Sequence, residues 1–152
     1  MNNNPFISLD LRHLHVEKRT VCKKISNLDQ QLNQVDISKP NGVRDRVILL
    51  LRYKYKLRPS EISILNISDV DFSGGIIHIL RQQKRQIVVV DECDFLDFRR
   101  WASVRKLYVN GLDAFLISMH WTRGRSEPYQ RISVRGLFLI IQKYPPKGGR
   151  NE

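Results

Sequence analysis

The stretch Arg44 to Asp71, RDRVILLLRYKYKLRPSEISILNISDVD, constrains the fold most, because an apolar run is followed by a proline that must end it. From Val43 to about Lys56, the apolar Val47, Ile48, Leu50 and Leu51 leave a basic margin of Arg44, Arg46, Arg52, Lys54 and Lys56. That pattern suits a buried helix with one wet edge. Proline tolerates the first turn of a helix and disfavours helical geometry in the residue before it. Pro59 is therefore expected to open a second helix and to leave Arg58 in the joint. Glu61 then falls in the first turn, where a carboxylate suits the helix dipole.

A chain of 152 residues is long enough for one domain with a substantial core. Its formal net charge of +11 points to a polyanionic partner, DNA or RNA, and less specifically to an acidic membrane surface. Cys22 and Cys93 have no paired spacing, so neither a disulfide framework nor a zinc cluster is indicated and a reducing compartment fits. The start, MNNNPFISLDLRHLHVEKR, lacks a signal pattern, and no later apolar run is long enough to span a bilayer. A cytoplasmic protein without a membrane partner is expected.

In chain order, Met1 to Pro5 is polar and expected to fray. His13 and His15 flank Leu14, but no third ligand is near, so the solvated reading outweighs a metal site. Val21, Ile25, Leu28, Leu32 and Val35 recur at helical spacing over about Thr20 to Val35, more in keeping with a core-facing helix than with a partner helix. Asp36 to Gly42 reads as a loop from its Pro and Asn-Gly content. After Ser73-Gly74-Gly75, Ile76 to Leu80 and Gln86 to Val90 are expected to form a hairpin with Arg81 to Arg85 as its polar tip. Such a tip is about equally a phosphate contact and a solvated turn.

Asp94 is expected to cap a helix running to about Tyr108, with Phe95, Phe98, Trp101, Val104 and Leu107 on or near its core face. Ala114 to Ile117 reads as a buried strand or connector, and Met119 to Gln130 as a basic irregular loop. In that loop His120, Trp121, Arg123 and Arg125 could touch DNA, although surface loops of this composition are commonplace. Ser133 can cap a last helix whose Val134, Leu137, Phe138, Ile140 and Ile141 face inward.

RDRVILLLRYKYKLRPSEISILNISDVDF resembles the start of the catalytic domain in the tyrosine recombinase (phage integrase) family, where a hydrophobic helix leads into Leu-Arg-x-x-Glu, a short apolar helix and an Asp-x-Asp-like turn. A Gly-bearing turn, the lysine-containing hairpin at Ile76 to Val90, and RISVRGLFLIIQKY, similar to the family's Leu-Ser-x-Arg-Gly helix, follow in the family's order. The resemblance covers about residues 28 to 144. It implies that Arg58 is the first catalytic arginine and that a hairpin cation serves as general acid toward the leaving oxygen. The family's turn is glycine-lysine-glycine-like, whereas this chain has Leu80-Arg81-Gln82-Gln83-Lys84, so either Arg81 or Lys84 can take the lysine's place. An arginine is a poor proton donor at its pKa above about 12, so the candidate catalytic pair is Arg58 and Lys84, with Arg58, Arg81, Lys84, Arg85 and Arg135 as candidate DNA contacts.

After Tyr144 the sequence reads PPKGGRNE, and the family's His-x-x-Arg segment and nucleophilic tyrosine have no counterpart. The chemistry needs a tyrosine oxygen to attack the phosphate and two arginines to stabilise the developing charge. None of Tyr53, Tyr55, Tyr108, Tyr129 and Tyr144 has the nucleophile's context. The expectation is a DNA-binding protein of recombination or integration that is catalytically incomplete alone, needing no cofactor, metal or small-molecule substrate. Phe138 and Ile141 would then be open to another recombinase chain or a second copy.

Two other classes compete. Ile62, Leu65 and Ile67 could pack a helix-turn-helix regulator, but no basic recognition helix follows, and Asp69 and Asp71 would repel a phosphate backbone. A basic RNA-associated protein would stack bases on sheet aromatics, and these strands are aliphatic. The expected fold is α+β, mainly helical with a small antiparallel sheet. Its expected parts are a tail, linker-type helix and loop over 1–40, a partial recombinase-like catalytic domain over 41–144, and a disordered tail over 145–152.

Overall fold

A computed structural model describes residues 26–119 and 129–146. Met1 to Pro5, His13, His15, Thr20 to Ile25, His120, Trp121, Arg123 and Arg125 lie outside the described residues, and the helix expected from about Thr20 to Val35 starts only at Asn27, after an extended Ser26, and ends at Asn33.

Helix α1, Asn27–Asn33, opens on a reciprocal cap. Ser26 Oγ accepts from the Asp29 N–H at 3.2 Å, and the Asp29 carboxylate accepts from the Ser26 N–H at 3.2 Å. Its Leu32, with Val35 beyond its end, is buried in the common core. Helix α2, Pro40–Leu49, begins inside the stretch expected to be a loop. Pro40 has no N–H to lose at a helix start. Gly42 is a close-approach glycine, because a Cβ there would lie 1.7 Å from the Asp36 carbonyl oxygen. The Pro and Asn-Gly content that signals a loop therefore begins a helix packed tightly on the preceding turn.

α2 does not continue as a regular helix to Lys56. Leu50–Lys54 is a π-helical turn, in which the Leu50 carbonyl accepts from the Tyr55 N–H at 3.0 Å. Val47 through Leu51 are all at most 1% exposed and so covered on every side, while of the expected basic margin Arg44 is buried, Arg46 and Arg52 are half-buried and Lys54 and Lys56 are exposed. Lys56, at φ 60°, stops it in the left-handed region.

Helix α3, Pro59–Ser63, and a 3-10 turn, Ile67–Asp69, lead to the sheet. Strands β1 (Val70–Asp71), β2 (Ile76–Arg81) and β3 (Lys84–Val89) pair antiparallel in sequence order. The hairpin tip is shorter than expected. Arg81 pairs with Lys84, and only Gln82 and Gln83 turn the chain, at φ 52° and 62°. Positive φ at both central positions matches the strand twist, so the cations beside them belong to the ladder.

Helix α4, Glu92–Arg105, starts after Asp91, which makes no side-chain cap, and Asp94 lies within its first turn instead of before it. Asp94 accepts from the Tyr55 hydroxyl at 2.6 Å and from Lys54 Nζ at 2.6 Å, tying α4 to the end of the π-turn. Phe72, Phe95, Phe98 and Phe115 form a run of rings with centroids 5.7, 5.7 and 6.2 Å apart. Trp101 Nε1 donates to the Phe115 carbonyl at 2.9 Å, so the aromatic stripe is core, as expected. Leu107, past the helix end, is 81% exposed instead of core-facing. Ala114 through Ile117 are buried, and β4 (Ile117–Ser118) pairs antiparallel with β5 (Gln130–Arg131).

Helix α5, Val134–Gln142, is capped by Ser133 Oγ, which accepts from the Gly136 N–H at 3.0 Å. Leu137 and Ile140 point inward, but Val134 and Phe138, expected inside, are exposed, and Ile141 is half-buried. A single helical stripe holds roughly three to four residues per two turns, and this helix has more apolar residues than that. The fold is α+β, mainly helical with a small antiparallel sheet.

One polar cluster crosses the core. Arg44 Nε and Nη2 donate to Asp45 Oδ1 at 3.0 and 2.8 Å, Arg44 Nη1 donates to the Ile117 carbonyl at 3.0 Å, and the Tyr144 hydroxyl donates to Asp45 Oδ2 at 2.7 Å. Gln31 Nε2 donates to the Tyr144 carbonyl at 2.7 Å, so α1, α2, β4 and the end of α5 are fastened together. Asp45→Ala leaves Arg44 buried without its carboxylate and is expected to cost about 3–5 kcal/mol in urea denaturation. A loss below about 1 kcal/mol would show that water readily replaces the carboxylate.

Candidate nucleic-acid interface

Arg58 owes its position to the way α2 ends. The wide π-turn and left-handed Lys56 reverse the chain, and the Leu51 carbonyl accepts from the Leu57 N–H at 2.9 Å. Leu57, fully buried, anchors the joint. Arg58 is then extended, at φ −73° and ψ 148°, as the cap residue before Pro59. Its backbone N–H donates to Glu61 Oε1 at 3.0 Å, while its side chain is exposed. Among the described residues, the Arg58 guanidinium has no hydrogen-bond acceptor. It is an outward cation on a fixed backbone.

Glu61 is the hub of this corner and is buried. Besides the Arg58 N–H, it receives a two-pronged grip from the hairpin, with Arg81 Nη2 donating to Oε1 and Nε to Oε2, both at 3.0 Å. Arg81 Nη2 also lies 3.4 Å from the Lys56 carbonyl oxygen. The helix dipole is thus only part of what Glu61 meets, and its ion-pair partner is Arg81 rather than Arg58. Burial would raise the Glu61 pKa, but the bonds from Arg81 and the Arg58 N–H outweigh it and hold the carboxyl below its usual range.

The candidate cations separate by environment. Arg81 is committed to Glu61. Lys84 is exposed and directly opposite Arg81 in the ladder, so its side chain leaves the same face of the hairpin. Arg85 pairs with Leu80 on the other face and lines a groove of about 470 Å³ with Ile64, Asp69, His78 and Leu80. Asp69 there accepts from the Asn66 N–H at 2.8 Å. Arg135 is exposed in the first turn of α5. The structure therefore brings Arg81 and the Arg58 backbone N–H to the Glu61 carboxylate, sets Lys84 beside Arg81 in the ladder, leaves Arg85 on a groove that Glu61 also lines, and puts Arg135 elsewhere.

Sequence reasoning missed Arg131, whose Nη1 donates to the Ser63 and Leu65 carbonyls, both at 2.9 Å, and whose Nη2 donates to Asn66 Oδ1. With Ser63 Oγ donating to the Ile132 carbonyl at 2.7 Å, this fixes the C-terminal end of α3 to β5. Nothing in the spacing of RISVRG distinguishes Arg131 from Arg135. No cluster of side chains suited to a metal occurs among the described residues, and none of their helices is long and apolar enough to cross a membrane.

Residues 24–145 match the phage integrase family. The chain belongs to that family. It is 32% identical over 136 residues to tyrosine recombinase XerC of Proteus mirabilis, covering 89% of this chain and 41% of that protein. It is 29% identical over 128 residues to XerC of Actinobacillus pleuropneumoniae, covering 81% and 39%. The crystal structure of XerA recombinase superposes with a TM-score of 0.62 at 21% identity over 83% of this chain and 42% of that one, which shows the shared fold. The chain thus spans about two fifths of the length of these relatives. The family leaves the helix-turn-helix and RNA-associated alternatives without support. Helix α3, at 5 residues, is also too short for a recognition helix and runs on into a 3-10 turn and a strand.

A carboxyl held below its usual pKa stabilises the fold fully above its unfolded pKa of about 4.3, and loses that contribution as pH falls through the folded value. Glu61→Gln should therefore flatten the acid side of the stability profile below about pH 4.5. Melting curves between about pH 2 and 7 check this, and an unchanged acid limb would show that Glu61 gains nothing from the pair.

Proposed function

We propose that this chain binds duplex DNA through its phosphates as the first portion of a tyrosine recombinase catalytic domain, acting on cytoplasmic DNA in recombination or integration. The observation that carries the reading is Arg58, a guanidinium exposed on a backbone fixed by the Leu57 anchor, Pro59 and the Glu61 carboxylate. A planar guanidinium can grip two phosphate oxygens, and holding its backbone rigid limits the entropy lost on contact. The net charge of +11 supports a polyanionic partner.

In this reading Lys84 takes the role of the family's hairpin lysine, because Arg81, the alternative, already has both Glu61 oxygens as partners. Lysine can release a proton to a leaving oxygen at a cost that arginine cannot match. Arg85, on the groove that Glu61 also lines, and Arg135, in the first turn of α5, serve as outer phosphate contacts. The second arginine, the histidine and the attacking tyrosine of the family's reaction are assigned to no residue of this chain. The exposed apolar side chains of Val134, Phe138 and Leu139 on α5 are read as a surface for another recombinase chain or a second copy.

Fluorescence anisotropy of a labelled duplex at several salt concentrations tests the binding. Affinity should fall steeply with salt, by roughly 0.9 log units per log unit of salt for each neutralised phosphate. Arg58→Lys should weaken binding about fivefold to tenfold while leaving stability within about 0.5 kcal/mol, since the side chain is exposed. Binding that is undetectable at low salt or flat with salt would refute the reading, as would an Arg58→Lys variant that loses stability yet binds normally.

A further inference from the structure

We infer that Arg81 is a positioning residue: through Glu61 it clasps the hairpin to the joint at Lys56 to Arg58, and so sets where Arg58 and Lys84 meet a phosphate. This rests on the phosphate-binding reading above and assigns Arg81 a role within it that is neither phosphate contact nor proton donor.

The geometry makes the clasp specific. Arg81 is the last residue of β2, just before the turn at Gln82 and Gln83, and therefore stands at the end of a two-stranded lever. At that end, beside Arg81 and Lys84, β3 has no strand on its outer side, and Lys84 through Ile87 are all exposed. Packing does not hold the tip. What ties it to the helices is the Arg81 guanidinium, with a donor on each Glu61 oxygen at 3.0 Å and a further approach to the Lys56 carbonyl at 3.4 Å. The same Glu61 oxygen that accepts from Arg81 Nη2 accepts from the Arg58 N–H at 3.0 Å. One carboxylate therefore fixes the backbone of one candidate phosphate ligand and, through the strand end, the place of the other.

Charge reinforces the assignment. An unpaired glutamate beside a phosphate-binding arginine would repel the ligand, whereas the bidentate pair leaves no net charge at the hub. Lys84, opposite Arg81 in the ladder, keeps its charge exposed. The Nε and Nη2 edge of the guanidinium, one of the edges with which it could grip two phosphate oxygens, is taken by the hub.

The experiment uses the full chain, the same labelled duplex, and the variants Arg58→Ala, Arg81→Gln, Glu61→Gln and Arg58→Ala/Arg81→Gln, all measured well below their melting temperatures. Arg81→Gln and Glu61→Gln should each lower affinity roughly tenfold, the loss of one charge-assisted phosphate bond. For Glu61→Gln that loss runs against the removal of a negative charge, which by itself would tighten binding. In the Arg58→Ala background, Arg81→Gln should add less than about twofold, and the salt slope should stay where Arg58→Ala alone puts it. A direct phosphate contact by Arg81 would overturn the inference and would show as additive losses with a further slope decrease of about 0.9. It would also show as tighter binding in Glu61→Gln. A purely structural pair would overturn it too, by lowering the melting temperature of Arg81→Gln with affinity unchanged. Absence of salt-dependent binding in the unaltered chain would defeat the functional reading itself, a result separate from these.

Discussion

Burial of five consecutive residues, Val47 through Leu51, is the constraint on which the other elements depend. A helix can hide adjacent positions on all its faces only if neighbours surround it, and α1, α4 and α5 pack around this one. Every polar group on the rod must then find a partner inside the protein. Arg44 and Asp45 are paired with each other and with Tyr144, and Arg46 Nε donates to Asp97 Oδ2 on α4 at 2.9 Å. The rod also needs an exit to the surface, and the π-turn with left-handed Lys56 supplies it within a few residues.

That exit gives the candidate site its rigidity. Arg58 lies directly after a fully buried leucine and directly before a proline, so its backbone has little freedom even though its side chain is exposed. The Tyr55 hydroxyl donates to Asp94 and accepts from the Asp91 N–H at 2.9 Å, while Lys54 bridges both aspartates at 2.8 and 2.6 Å. These bonds brace the turn against the start of α4. A cation on a braced loop suits electrostatic work because little reorganisation accompanies binding.

The same fold leaves apolar surface on its outside. Val134, Phe138 and Leu139 lie on the outer side of α5, and Leu80, Ile87 and Val89 on one face of the hairpin. These side chains exceed what the core stripe of each element can take in.

The sequence alone determined the local elements. Pro59 had to open a helix, Arg58 had to stand in the joint, the alternating apolar residues from Ile76 had to pair as a hairpin, and the family pattern from Leu57 to Glu61 was legible in the residues. Those conclusions rest on backbone sterics and on periodicity within a few residues, which travel with the chain. What only the tertiary structure decided is which charge meets which. Glu61 and Arg81 are 20 positions apart and Arg131 is more than 60 from its acceptors, and no spacing rule links such pairs. The loop signals at Pro40 to Gly42 misled for a related reason, since a glycine needed for close approach to the Asp36 carbonyl has the same sequence signature as a glycine needed for a turn. Partner choice among the cations is set by distances across the fold, and those exist only once the buried rod has brought the hairpin beside the joint.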